Sequence, residues 1–134
     1  MNGKILVIDD DPDVCALIRE ALLRREYEVE ATTVGTDALQ IVREREMDAI
    51  VTDVQLGRMN GLELCAQIAE SRPDLPVIIV TAHANLALAI QAIRAGAYDF
   101  ITKPFKIEAL TLTVSRAVAH HALQQEVKRL REEV

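Results

Sequence analysis

Asp9, Asp10 and Asp11 stand together directly after the run Lys4-Ile-Leu-Val-Ile8. Asp53 follows the apolar run Ala49 to Thr52, Thr81 follows Val77 to Val80, and Lys103, with Pro104 behind it, follows Tyr98 to Thr102. Singly, each has an ordinary explanation. An Asp after an apolar run is commonly a turn former or helix N-cap. Asp11 or Asp13 suits that role, with Pro12 near the first helical position. Thr81 alone is an unremarkable strand end, and Lys103 alone a surface charge. Jointly they can do chemistry. Carboxylates crowded to ~4 Å repel by about 4 kcal/mol at an effective dielectric of 20, and a hard divalent cation relieves that repulsion. A small oxygen ligand set, with positions left for water and phosphate, favours Mg²⁺ over Ca²⁺. A carboxylate beside such a cation can act as a nucleophile toward phosphorus. An ammonium and a hydroxyl would then meet the charge on the phosphoryl oxygens.

For this chemistry the four segments must meet in space. Lys4 to Ile8, Tyr27 to Ala31, Ala49 to Thr52, Val77 to Val80 and Tyr98 to Thr102 read as strands. The helical patterns between them are Val14 to Arg25, Thr36 to Arg45, Leu62 to Ser71 and Leu86 to Ala95, and a last helix runs from Ile107 onward. In the second helix Ala38, Leu39 and Val42 face inward. Gly96 supplies a C-cap and Pro73 closes the third helix. Five βα units in series predict an α/β fold, a doubly wound five-stranded parallel sheet with helices on both faces. The first, third and fourth strands are apolar throughout, which suits the middle of the sheet. Ligands of such folds bind beyond the carboxyl ends of the strands, which is where the acids, Thr81 and Lys103 fall.

The composition narrows the function. Among 134 residues, 50% are apolar and 27% charged, as in a globular domain able to fold without disulfide or metal. With 21 acidic against 15 basic residues the net charge is −6, and only 3% of residues are aromatic. Both features disfavour direct nucleic-acid binding. Cys15 and Cys65 lack any metal or redox spacing and are expected to be small buried residues. Charges from Lys4 onward argue against a signal peptide, and no apolar run approaches the ~20 residues of a membrane span. A cytoplasmic location is expected.

Ile8-Asp9-Asp10-Asp11, Val51-Thr52-Asp53, Val80-Thr81-Ala82 and Thr102-Lys103-Pro104-Phe105 together resemble the signature of response-regulator receiver domains of two-component systems, over roughly residues 3 to 120. The resemblance implies the flavodoxin-like strand order 2-1-3-4-5. It makes Asp53 the residue phosphorylated by a sensor histidine kinase. The Asp10 and Asp53 side chains and the backbone carbonyl of Gln55 would ligate Mg²⁺, with Asp9 acting mainly through water. Thr81 and Lys103 would hold the phosphoryl oxygens, and Phe100 would be the switch aromatic that turns inward as Thr81 moves. The domain is then a regulatory switch that catalyses only its own phosphorylation and dephosphorylation. Two departures stand out. Leu56-Gly57-Arg58-Met59-Asn60-Gly61 has Gly where the family commonly has Pro, which predicts a more mobile loop. The switch position is Phe, without the hydroxyl of Tyr. Gln55 and His83 occupy positions that influence phosphate lifetime in the family, though His83 by itself reads as a loop residue.

The fourth helix is apolar on two faces: Leu86, Ile90, Ile93 and Ala97 on one, Leu88, Ala92 and Ala95 on the other. The Leu88 face is expected to join a second subunit, with Leu88→Glu weakening association. In the last helix Leu123, Val127, Leu130 and Val134 form a coiled-coil seam among polar neighbours. This divides the chain into a receiver at 1–120 and a helical linker at 121–134 that pairs with a second copy. His120 and His121 read as surface residues of that helix. The linker, with Thr81-Ala-His83 and Ala95-Gly-Ala-Tyr-Asp-Phe100, is similar to nitrogen-regulator-type, sigma-54-dependent transcription activators. Their ATPase and DNA-binding domains would lie beyond this chain, and a stand-alone or phosphorelay receiver is the alternative. A haloacid-dehalogenase-type phosphatase would need Asp-x-Asp-x-Thr, and Asp9-Asp-Asp11-Pro-Asp13 lacks the Thr. A flavin or nucleotide binder would need a phosphate loop where these acids would repel phosphate. A metal-independent interaction module would not need the full set of acids, Thr81 and Lys103.

Overall fold

The computed structural model describes residues 2–83 and 85–133. Strands β1 (Lys4–Ile8), β2 (Glu28–Thr32), β3 (Ala49–Asp53), β6 (Val77–Thr81) and β7 (Asp99–Thr102) form one sheet in the order β2-β1-β3-β6-β7. All four pairings are parallel. This is the expected order 2-1-3-4-5. The higher numbers arise because a hairpin of two-residue strands, β4 (Gln55–Leu56) and β5 (Met59–Asn60), intervenes. Helices α1 (Pro12–Leu23), α2 (Gly35–Glu44), α3 (Gly61–Ser71), α4 (Leu86–Arg94) and α5 (Ile107–Glu132) make the crossovers and the end of the chain.

The two-residue period of the strands divides the core in two. Ile5, Val7, Ala49, Val51, Ile78 and Val80 face α1 and α5, meeting Ile18, Leu22, Leu110 and Val114. Leu6, Ile8, Ile50, Val77 and Ile79 face α2, α3 and α4, meeting Val42, Leu64, Ile68 and Ala92. A strand buried on both faces must be apolar at every position, hence the continuous runs in β1, β3 and β6. The polar β2 lies at one edge. In α2, Ala38 and Val42 are buried and Leu39 is half-buried. Cys15 and Cys65 are free and buried, as expected. No helix among the described residues is long and apolar enough to cross a membrane.

The helix starts follow local chemistry. Asp11 caps α1, its side chain accepting from the Asp13 N–H, with Pro12 in the first turn. Asn60 and Asn85 cap α3 and α4 in the same way. Two readings are corrected here. The inward face of α4 is that of Leu88, Ala92 and Ala95, packed on the core, while Leu86, Ile90 and Ile93 face outward with 77%, 41% and 74% exposure. Leu88 is half-buried against the core, so the face of α4 open to a second subunit is that of Leu86, Ile90 and Ile93. The helix lies between core and solvent, and the sheet takes the face with the two smaller alanines because they permit close approach. His121 is buried at 8% exposure, not a surface residue. Val134, the last residue of the expected seam, lies outside the described residues.

Candidate metal centre

Parallel strands leave their carboxyl ends at one edge of the sheet, and that edge collects the chemistry. Asp9 follows β1 and Asp53 ends β3, a neighbouring strand. Carboxylate oxygens of Asp9, Asp10 and Asp53 lie within 4.8 Å of one another. Lys103, delivered by β7 from the far edge, places its Nζ 2.8 Å from Asp53 Oδ2 and 2.9 Å from Asp9 Oδ2. Its own N–H donates to the Thr81 carbonyl at 2.7 Å, and a cis bond joins it to Pro104. Thus one ammonium bridges carboxylates from two strands, 94 and 50 positions away from it along the chain.

The electrostatics are uneven. Burial pushes the Asp9 carboxyl above the usual carboxylate value, although the Asp11 amide at 3.0 Å and Lys103 pull the other way. Burial also works to lower Lys103, but its hydrogen bonds to Asp53 and Asp9 outweigh this and hold the ammonium above its ordinary value. One positive charge therefore serves three carboxylates. Asp10 is exposed and Asp53 half-buried, so the deficit opens toward solvent. A hard cation with oxygen ligands fits that donor set.

Thr81 ends β6 with its hydroxyl buried, accepting from the His83 N–H at 3.1 Å, so its own hydrogen is left to donate. His83 is an exposed loop residue. Gln55 donates its N–H to Asp53 Oδ1 at 3.2 Å. Phe100 is half-buried on β7, paired with Ile79 and packed against the core on the side of α4. It sits apart from the carboxylates, on the strand that carries Lys103 to them.

Several supporting residues escaped sequence reasoning. Thr52 is buried with its hydroxyl donating to the Asp53 carbonyl at 3.0 Å. The Cys15 thiol donates to the Asp9 carbonyl at 3.3 Å. Gly61 donates to the Val54 carbonyl at 2.6 Å, and a Cβ there would collide with the Asp53 carbonyl and lie 2.9 Å from Val54 Cα. Gly57 has φ +66° at the first central position of the β4–β5 turn, a hairpin geometry with a specific need for glycine. The residue that replaces the family's Pro thus shapes a closed turn.

A doubly wound parallel sheet in the order 2-1-3-4-5, with a carboxylate cluster at its carboxyl edge, has the flavodoxin-like architecture. The chain belongs to the response regulator receiver domain family, whose pattern matches residues 5–115. It is 36% identical over 128 residues to the transcriptional regulatory protein ZraR of Klebsiella oxytoca, covering 93% of this chain and 29% of that protein. It is 35% identical to the nitrogen assimilation regulatory protein NtrX of Azorhizobium caulinodans, covering 98% of this chain and 30% of that one. The crystal structure of the receiver domain of NtrX from Brucella abortus superposes with a TM-score of 0.81 at 37% identity, covering 86% of this chain and 98% of that domain. The chain thus spans about three-tenths of the length of the curated relatives it matches.

Proposed function

We propose that Asp53 is the phosphoacceptor of this receiver domain and takes its phosphoryl group from a phosphohistidine on a sensor kinase. The observation that carries this reading is the shared ammonium: Lys103 Nζ lies 2.8 Å from Asp53 and 2.9 Å from Asp9, with Asp10 in the same cluster. Asp53 Oδ would attack phosphorus, forming the P–O bond as the P–N bond breaks and the imidazole leaves. Lys103, once turned from carboxylate to phosphoryl oxygen, would meet the charge there, and the Thr81 hydroxyl would donate to a second oxygen. Asp9, Asp10 and Asp53, with the Gln55 carbonyl, would hold Mg²⁺, which when bound supplies neutralising charge. Gln55 and His83 flank the site and would tune hydrolysis of the acyl phosphate.

The reading extends to output. Thr81 drawn toward phosphate would free space into which Phe100 turns, changing the surface of α4, β7 and α5. ZraR and NtrX are named as regulators of transcription and nitrogen assimilation. On that basis this chain would control a transcription-activating output through its linker helix. Leu86, Ile90 and Ile93 of α4, and Leu123, Val127 and Leu130 of α5, are exposed and suit contacts with a second copy. Two free buried thiols fit a reducing cytoplasm.

The test is intact-mass and peptide mass spectrometry after incubation with Mg²⁺ and a phosphohistidine donor or a small phosphodonor. One phosphoryl group is expected at Asp53, none in Asp53→Asn, and a strongly slowed gain in Lys103→Ala. Label elsewhere, or none in the native chain, would refute the assignment.

A further inference from the structure

Helix α5 stays attached to the body past the point where its sequence turns polar. His121 lies at the amino-terminal end of the sheet, with Nδ1 3.0 Å from the Asp74 carbonyl oxygen and Nε2 3.7 Å from Asp48 Oδ1. A carbonyl only accepts, so Nδ1 bears the proton. Asp48 precedes β3, and its other oxygen accepts from the Lys4 N–H at 2.8 Å, at the start of β1. One turn further along α5, the Gln125 amide donates to the Asp74 carboxylate, just ahead of β6. One residue back, the His120 ring stands 5.4 Å from the Tyr98 ring, tilted by 41°. Tyr98 adjoins β7 and donates its N–H to Val77 at 2.8 Å. Loops before β3, β6 and β7 therefore hold three residues of the helix, His120, His121 and Gln125, beyond the family-matched segment that ends at 115.

We propose that His120 to Gln125 form a clamp that fixes where the linker helix leaves the domain, and that Tyr98 makes this clamp responsive to β7. That strand is four residues long, about 13 Å. Its far end delivers Lys103 to Asp53, so a pull on Lys103 reaches Tyr98 along one short rigid element. The clamp stands on the contacts alone, whereas its response rests on the phosphoacceptor reading. On this proposal the helix stays with the receiver as far as Gln125.

Amide hydrogen exchange on the full chain tests both halves. In metal-free protein, His121→Leu keeps the apolar bulk without the donor and should speed exchange at 119–128 about tenfold, with β1 and β3 unchanged. His121→Asn, able to donate to Asp74, should recover most of the protection. Gln125→Ala, at an exposed position, should act in the same direction more weakly. Full protection at 119–128 in both His121→Leu and Gln125→Ala would overturn the clamp. Beryllofluoride with Mg²⁺ is then added, and its uptake read by fluorine NMR. Exchange at 119–128 should change in the native chain and not in His120→Ala. Uptake without that change would overturn the response. Absence of uptake would remove the phosphoacceptor reading and the response with it, leaving the clamp to the metal-free result.

Discussion

Removing the Lys103 ammonium would leave Asp9, 3% exposed at its side chain, without its ion-pair partner and with the Asp11 backbone N–H as its remaining side-chain hydrogen bond among the described residues. The same logic of burial governs the cysteines. Burial pushes the Cys65 thiol up to about 11 from an ordinary value of 9.0. Because the folded value exceeds the unfolded one, this thiol's contribution to stability is intact below pH 9 and is lost as pH rises through about 11. Denaturant titrations from pH 8 to 11 should show a decline that is shallower in Cys65→Ala. At pH 8 a chromogenic disulfide reagent should find neither thiol until denaturant is added, and rapid labelling of the native chain would contradict the burial. At this scale Asp9, Asp10, Asp53, Thr81 and Lys103 were readable because each lies at or just after the carboxyl end of a strand, and a parallel sheet gathers strand ends. Thr52 and Gly61 were not, because their work is done through the Asp53 backbone, and nothing in a residue's type reveals which carbonyl it will meet. His121 was hidden for a related reason: its partners Asp48 and Asp74 lie 73 and 47 positions away (121 − 48 and 121 − 74), in loops with no pattern of their own.

The hairpin β4–β5 and the start of α3 hold the loop that leaves Asp53, and Gly61 is where they press on it. Gly61→Ala must move the Asp53–Val54 backbone or α3, at a cost of about 1–3 kcal/mol. A lowered melting temperature together with slowed phosphoryl uptake is expected, and unchanged values of both would show that the backbone yields freely. Helix α4 makes the contrasting case. Its two apolar faces were plain in the sequence, but periodicity gives the angle between faces and not which one meets the sheet. Ile93→Glu, at 74% exposure, should leave stability within about 0.5 kcal/mol and weaken self-association of the phosphorylated chain, read by sedimentation velocity. Leu88→Glu buries a charge in the core and should instead lower the melting temperature. Dimers that persist in Ile93→Glu would assign self-association to the α5 seam.

Which strands lie inside the sheet was legible because three strands apolar on both faces leave only the polar β2 and the short β7 for the edges, whereas the order of the inner three rested on the family resemblance. The price of this arrangement is electrostatic. The same convergence that builds the site brings three carboxylates within 4.8 Å against one ammonium, so the folded state holds repulsion that the unfolded chain escapes. Burial already raises Asp9, and since the folded value lies above 3.8, ionising it removes stability as pH rises through that range, leaving the deficit in place at neutral pH. A cation that binds only the folded state relieves it by mass action, contributing about 2.7 kcal/mol at a hundredfold excess over its Kd. The melting temperature should therefore climb with Mg²⁺ and level off only logarithmically. Asp10→Asn removes one charge from the cluster at an exposed position, so its metal-free protein should melt higher than the native chain and respond far less to Mg²⁺. The two effects have opposite signs, and no general change in packing produces both. Native protein whose melting ignores Mg²⁺, or Asp10→Asn protein that melts lower without metal, would show that the acids are not a strained cation site.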